Sequence, residues 1–188
     1  MLNIKVVLAS VREGRLGEKP AAWILEKAKA RKEFAVELVD LKDYSLPVFN
    51  EPQVPAMISG NYPNEAAKQW AAKISEADGF IFVTPEYNHG YPSSLKNAID
   101  YIYGEWVNKP VAFVSYGADG GVRAVEQLKQ VVNSNLQMHP VPAVVSMARP
   151  WDYLNEQGVL DTTHFEKAGD TMLDQLAWLG EALKAARK

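Results

Sequence analysis

Residues 4–19 read IKVVLASVREGRLGEK. The first six, IKVVLA (4–9), are almost continuously apolar and rich in β-branched side chains, the pattern of a strand buried on both faces. From Ser10 the character changes: two arginines (Arg12, Arg15) and two glycines (Gly14, Gly17) precede apolar residues at helical spacing, Ala21, Ile24, Leu25 and Ala28. A buried strand, a polar turn and an amphipathic helix in that order open a β-α unit and predict a parallel sheet.

The same alternation recurs along the chain. Further strand runs are AVELVD (35–40), GFIFVT (79–84) and VAFVSY (111–116). A weaker one is PAVVSM (142–147), which Pro140 and Pro142 place at an edge and start late. Helical spacing covers residues 17–32, 64–77, 93–104, 120–136 and 162–186, with Pro63 or Asn64 as an entry signal for the second. Five β-α repeats predict an α/β three-layer sandwich with helices on both faces of a five-stranded parallel sheet. The strand order that suits this length is the flavodoxin-like 2-1-3-4-5, and residues 1–188 read as a single domain. Ligands of such sheets sit beyond the carboxyl ends of the strands, so the loops after strands 1, 3 and 4 carry the functional expectation.

Composition narrows the possibilities. A net charge of -3 argues against nucleic acid as a partner, since such proteins carry a basic face. No apolar run is long enough to span a membrane and no signal-peptide pattern opens the chain, so a cytoplasmic location is expected. With no cysteine, thiolate catalysis and thiolate metal ligation are excluded. The three histidines, His89, His139 and His164, lie far apart, and no metal site is expected.

After strand 1, Ser10, Arg12, Arg15, Gly14 and Gly17 meet the start of a helix, whose free N–H groups and positive dipole end favour a phosphate. Neither GxGxxG nor GxxxxGK[ST] is present, so a dianionic monophosphate is the better match. After strand 3 comes TPEYNHGYPSSLKNAIDY (84–101), where Tyr87 or Tyr91 offers a stacking surface and the N–H groups of 86–90 can face a planar heterocycle. Glu86 reads either as an acid or base or as the partner of an arginine. Ser93 and Ser94 read as helix caps, and Lys96, Asn97 and Asp100 as a solvated face or a subunit contact. After strand 4, Ser115, Gly117, Gly120 and Gly121 form a flexible turn. Together the three loops suit one mononucleotide bearing an aromatic ring. Residues 43–63, with four prolines, form an arm over this site or over a partner subunit, or an irregular crossover.

The PEYN…P..LKNAID stretch, the ASVREGRLGEK loop, SYGADGGVRAVEQL and the PVFNEP piece at 47–52 resemble the NADPH-dependent FMN reductase family over nearly the whole chain. The resemblance implies that Ser10, Arg12, Arg15, Leu16 and Gly17 hold the FMN phosphate. By the same resemblance Pro85, Glu86, Tyr87 and Asn88 line the isoalloxazine, with Ser115, Tyr116 and Gly117 on its other side. The family's second loop serine is replaced near Leu16–Gly17, where Arg15 is expected to substitute. The implied function is transfer of hydride from NADPH or NADH through FMN to a small-molecule acceptor: a quinone, an azo compound, free flavin or a metal oxyanion such as chromate. No catalytic side chain is assigned, since the cofactor supplies the chemistry. The alternative is an electron carrier or redox-sensing flavoprotein without substantial turnover. A homodimer or tetramer is implied as well. Ala124 and Val131, off the main stripe of their helix, and Tyr101, Tyr103 and Trp106 read as apolar surplus for a partner.

Overall fold

A computed structural model describes residues 1–58 and 60–187. The five apolar runs are strands β1 (Leu2–Leu8), β2 (Phe34–Asp40), β3 (Gly79–Pro85), β4 (Pro110–Gly117) and β5 (His139–Ala148). All pairings are parallel and the order is β2-β1-β3-β4-β5, as the alternation of elements implied. The helices are α1 (Glu18–Lys29), a short α2 (Pro55–Ile58), α3 (Glu65–Ser75), α4 (Ser93–Asp100), α5 (Val122–Ser134) and α6 (Glu166–Ala186). None of them is long and apolar enough to cross a membrane.

Alternation along β3 shows how the layers form, since successive side chains point to opposite faces. Phe80 and Phe82 join the core beneath α3, α4 and α5, whereas Ile81 and Val83 join the core beneath α1 and α6. Every residue of β3 is buried, which is why its sequence is a continuous apolar run rather than an alternating one.

β5 starts at His139, earlier than its proline-rich sequence suggested, and it does lie at an edge. Its register against β4 jumps between Val111↔Pro140 and Phe113↔Val144, so β5 fits extra residues opposite Ala112. A bulge at an edge is where a sheet tolerates proline's missing N–H.

The apolar surplus has a destination inside this chain. Trp106 is fully buried, edge-on to Phe80 (5.0 Å between centroids), Phe82 (6.0 Å) and Trp70 (6.0 Å). Tyr101 and Ala124 are buried too, and Tyr103 and Val131 are half-buried against the same core. The segment after β2 likewise packs on its own domain: Tyr44 meets Trp70 at 4.9 Å and Phe49 meets Tyr101 at 5.2 Å.

Candidate active site

The loop after β1 is drawn to the neighbouring strand ends. Ser10 is fully buried, and its Oγ lies 2.8 Å from the Tyr87 hydroxyl, which comes from the loop after β3. The Ser94 hydroxyl donates to the Ala9 carbonyl at 2.6 Å, so Ser94 ties α4 to the end of β1 instead of capping its own helix. Pro92 occupies the N-cap position, without a side-chain cap.

The two arginines of this loop behave differently. Arg15 donates through Nη1 to the Ser10 carbonyl (2.5 Å) and to Asp40 (2.7 Å), through Nη2 to Asp40, and through Nε to Glu18 (3.1 Å). Only 5% of the Arg15 side chain is exposed, so its fork is committed to joining the ends of β1 and β2. The Asp40 hydrogen bonds, opposed by burial, raise the guanidinium above its ordinary pKa. Arg12 is exposed, and among the described residues no side-chain partner holds its guanidinium. Leu16 packs against the α1/α6 core rather than into the open loop.

Tyr116, near the end of β4, reaches back to this loop. Its hydroxyl is buried and has no hydrogen-bond partner among the described residues. Burial raises its pKa above the ordinary phenol value. A Cβ at position 17 would overlap that oxygen, so the approach of Tyr116 to the start of α1 requires Gly17.

The loop after β3 begins at Pro85 with the Glu86 N–H donating to the Tyr116 carbonyl at 3.0 Å. Tyr87 and Gly90 then exchange two backbone bonds of 2.8 and 3.0 Å around Asn88 (φ 49) and His89 (φ 65). Positive φ at both central positions is a type I′ turn, which favours asparagine at the first position, as here, and glycine at the second, where His89 stands. Asn88 and His89 are both exposed. The Glu86 carboxylate points away from them and accepts from the Arg123 backbone N–H (3.0 Å) and its Nη1 (2.8 Å). Of the two readings of Glu86, its geometry favours the arginine partner.

The loop after β4 is closed from within. The buried Ser115 hydroxyl donates to the Gly120 carbonyl at 2.7 Å, and the Ser146 hydroxyl joins it at 2.9 Å. Gly121 (φ 76) has no room for a side chain, since a Cβ would lie 2.9 Å from the Tyr116 N–H nitrogen. Gly117 sits beside Glu86. Next to this junction lies an open cleft of about 760 Å³, whose walls include Val11, Leu46, Phe49, Tyr91, Asn97 and Gln127. Asn97 holds its outer wall: Oδ1 accepts from the Phe49 N–H (2.8 Å) and Nδ2 donates to the Pro47 carbonyl (2.7 Å).

Residues 2–152 match the family model of the NADPH-dependent FMN reductases. The chain belongs to that family. Within this reductase family, it is 44% identical over 159 residues to an NAD(P)H-dependent FMN reductase of Schizosaccharomyces pombe, covering 85% of this chain and 78% of the relative. A quinone reductase of Pseudomonas putida is 36% identical over 135 residues, 68% of each chain. Among solved structures, the NAD(P)H:acceptor oxidoreductase FerB of Paracoccus denitrificans superposes with a TM-score of 0.72 over 97% of this chain and 98% of its own, at 23% identity.

The residues of this reductase that sequence reasoning missed are those acting across loops. Arg123 and Gln127 of α5 contact the loop after β3, while Asn97 of α4, read from sequence as solvated face or subunit contact, holds the arm of its own chain. Their spacing of four on α5 places Arg123 and Gln127 on one face, which was visible in the sequence; what that face touches was not.

Proposed function

We propose that this chain binds FMN where the loops after β1, β3 and β4 meet, and works as an NAD(P)H-dependent reductase of small-molecule acceptors. The observation that carries the reading is the unpartnered Tyr116 hydroxyl, buried against Gly17 and aimed into a loop that also offers the free Arg12. A buried polar atom without a partner is costly. The Tyr101 hydroxyl and the Trp106 indole are unpartnered too among the described residues, in the opposite core, but the Tyr116 hydroxyl stands at the loop after β1, where a bound phosphate oxygen would satisfy it. The donor set suits a phosphate monoester: the Arg12 guanidinium, the Ser10 and Tyr116 hydroxyls, and the N–H groups at the start of α1. Arg15 acts behind the loop, holding its shape through Asp40 rather than donating to phosphate.

On the ring side, Pro85, Tyr87 and Asn88 would border the isoalloxazine, with the exposed turn amides offered to its polar edge. The Glu86 carboxylate and the Ser115 hydroxyl support the two loops from behind. Tyr116 and Gly117 stand at the junction between phosphate and ring. Bound there, FMN would supply the chemistry of accepting hydride from NAD(P)H and passing electrons to an acceptor. The chain's share is to bind, orient and shield it, and the cleft beside the turn gives the second substrate its approach.

Quinones, azo compounds, free flavin and metal oxyanions all remain within this reading, because they share the need to reach an exposed flavin. The named activities of the S. pombe and P. putida relatives support the reductase assignment and put quinones first among acceptors. A second copy of the chain is the proposed partner. Val48, which lines the cleft, and Val54 and Met57 farther along the arm are 85%, 60% and 78% exposed, apolar side chains suited to self-association. Purified protein should be yellow, and once loaded with FMN should oxidise NADPH in the presence of a quinone. Flavin uptake without turnover would leave an electron carrier; no flavin uptake would overturn the site.

A further inference from the structure

The type I′ turn Tyr87–Gly90 carries Asn88 and His89 in left-handed conformations, and His89, where such turns usually have glycine, holds that conformation only where surrounding structure supports it. Besides the Tyr87 hydroxyl on Ser10 and the Glu86 N–H on the Tyr116 carbonyl, two ties reach the turn from one face of α5. Arg123 and Gln127 stand four residues apart, hence on the same side of the helix. Arg123 grips Glu86 at the entry to the turn (2.8 Å), and Gln127 Nε2 donates to the His89 carbonyl at its tip (2.8 Å). Gly90 leaves room for the glutamine, since a Cβ there would lie 3.1 Å from Gln127 Oε1.

The two cross-turn bonds use the N–H groups of Tyr87 and Gly90, leaving those of Asn88 and His89 outside them. We propose that Arg123 and Gln127 are positioning residues that fix the peptide planes of this turn, so that the Asn88 and His89 amides meet the flavin edge in one orientation. The inference rests on the FMN site proposed above. Its physical content is preorganisation: donors held before the ligand arrives need not be ordered when it binds, and their field favours the more electron-rich redox state. Gln127 also borders the cleft, so one side chain links the turn to the path of the second substrate.

Gln127 is exposed, so its replacement leaves the core intact. In Gln127→Met the side chain keeps its length and loses its donor; in Gln127→Lys a donor returns. Three readouts test the idea: amide exchange at Gly90 in flavin-free protein, FMN affinity by fluorescence quenching, and the midpoint potential of the loaded protein. The Met variant should show faster Gly90 exchange and FMN binding weaker by about threefold to tenfold, the effect of one lost hydrogen bond. Its preference for reduced over oxidised flavin should also fall, and the Lys variant should recover all three. Wild-type exchange and potential in Gln127→Met would overturn the inference, as would a Lys variant no better than Met. If wild-type protein took up no FMN while Gly90 exchange still rose in the Met variant, the flavin reading would fall and the tie from Gln127 would stand.

Discussion

At the amino end of the sheet Asp78 accepts from the Asn3 N–H (2.9 Å) and from Lys184 Nζ (2.6 Å), and pairs with Arg187. Beside it the buried Lys109 donates to the carbonyls of Ile74 (3.1 Å) and Ser75 (3.3 Å) at the end of α3. At the carboxyl end of the same strands Tyr116 has a buried hydroxyl without a partner, Arg12 is exposed and unpaired among the described residues, and the turn after β3 is strained. At the first end Asp78 and Lys109 are spent within the fold, where they fasten α3 and α6 to the sheet. The carboxyl end commits Arg15, Glu86 and Ser115 in the same way, but leaves over Arg12 and the Tyr116 hydroxyl, the donors proposed for a ligand. Burial by itself raises the Asp78 carboxyl, but the Asn3 N–H and Lys184 outweigh it and hold the group below its ordinary pKa. At Tyr116 the balance is the reverse: burial outweighs the nearby Arg15, Arg12 and Gly17 N–H and holds the phenol above its ordinary pKa.

If this division holds, substitutions at the two ends should separate stability from binding. The largest effect is expected for Asp78→Ala, which strips the partner from Lys184, Arg187 and the Asn3 N–H together. Urea unfolding should show a loss of about 2–4 kcal/mol, with FMN affinity unchanged. Arg12→Ala should do the reverse. Losing one charged phosphate donor weakens FMN binding by about 1.5–3 kcal/mol, roughly 10- to 150-fold, while the unfolding midpoint stays put. A stable variant with wild-type flavin affinity would remove Arg12 from the site.

Lys109 offers a pH test of the amino end. Burial pulls its pKa down from 10.5 to about 8, so between those values the unfolded chain holds more protons than the folded one. Stability from this group therefore rises with pH across that window. Relative to Lys109→Met, the wild-type protein should gain about 1–2 kcal/mol between pH of about 7.5 and 9.5; a constant difference would show that the amine titrates normally. The smallest effect belongs to Tyr116→Phe. Removing an unpartnered hydroxyl should leave flavin-free stability unchanged or raise it by under ~1 kcal/mol, while FMN binding weakens severalfold. A clear loss of stability without flavin would mean that the hydroxyl already has a partner.

Much of this was legible in the residues alone. Continuous apolar runs such as GFIFVT and helical stripes such as Ala67, Trp70, Ala71 and Ile74 are periodic signals, and periodicity reports directly which sides of an element are buried. Topology then places the loops after β1, β3 and β4 at one edge, so the location of the candidate site followed from the order of the elements. The division of labour within a loop did not follow. Arg12 and Arg15 are the same residue type three positions apart; only the parallel pairing of β1 with β2 brings Asp40 alongside and takes Arg15 out of play. The apolar residues assigned to a partner show the same limit, because a helical wheel cannot show that Trp106 meets Phe80 and Phe82 across the chain or that Ala124 is buried. Glu86 stands between the two cases: an arginine partner was readable in kind, yet Arg123 was fixed by the packing of α5. Of the loop at residues 10–19, the sequence by itself determined the position and the expectation of a phosphate, since strand, glycines and helix start are local features. Which of its side chains remain free for a ligand was decided by the tertiary structure, because hydrogen-bond partners come from residues distant in the chain.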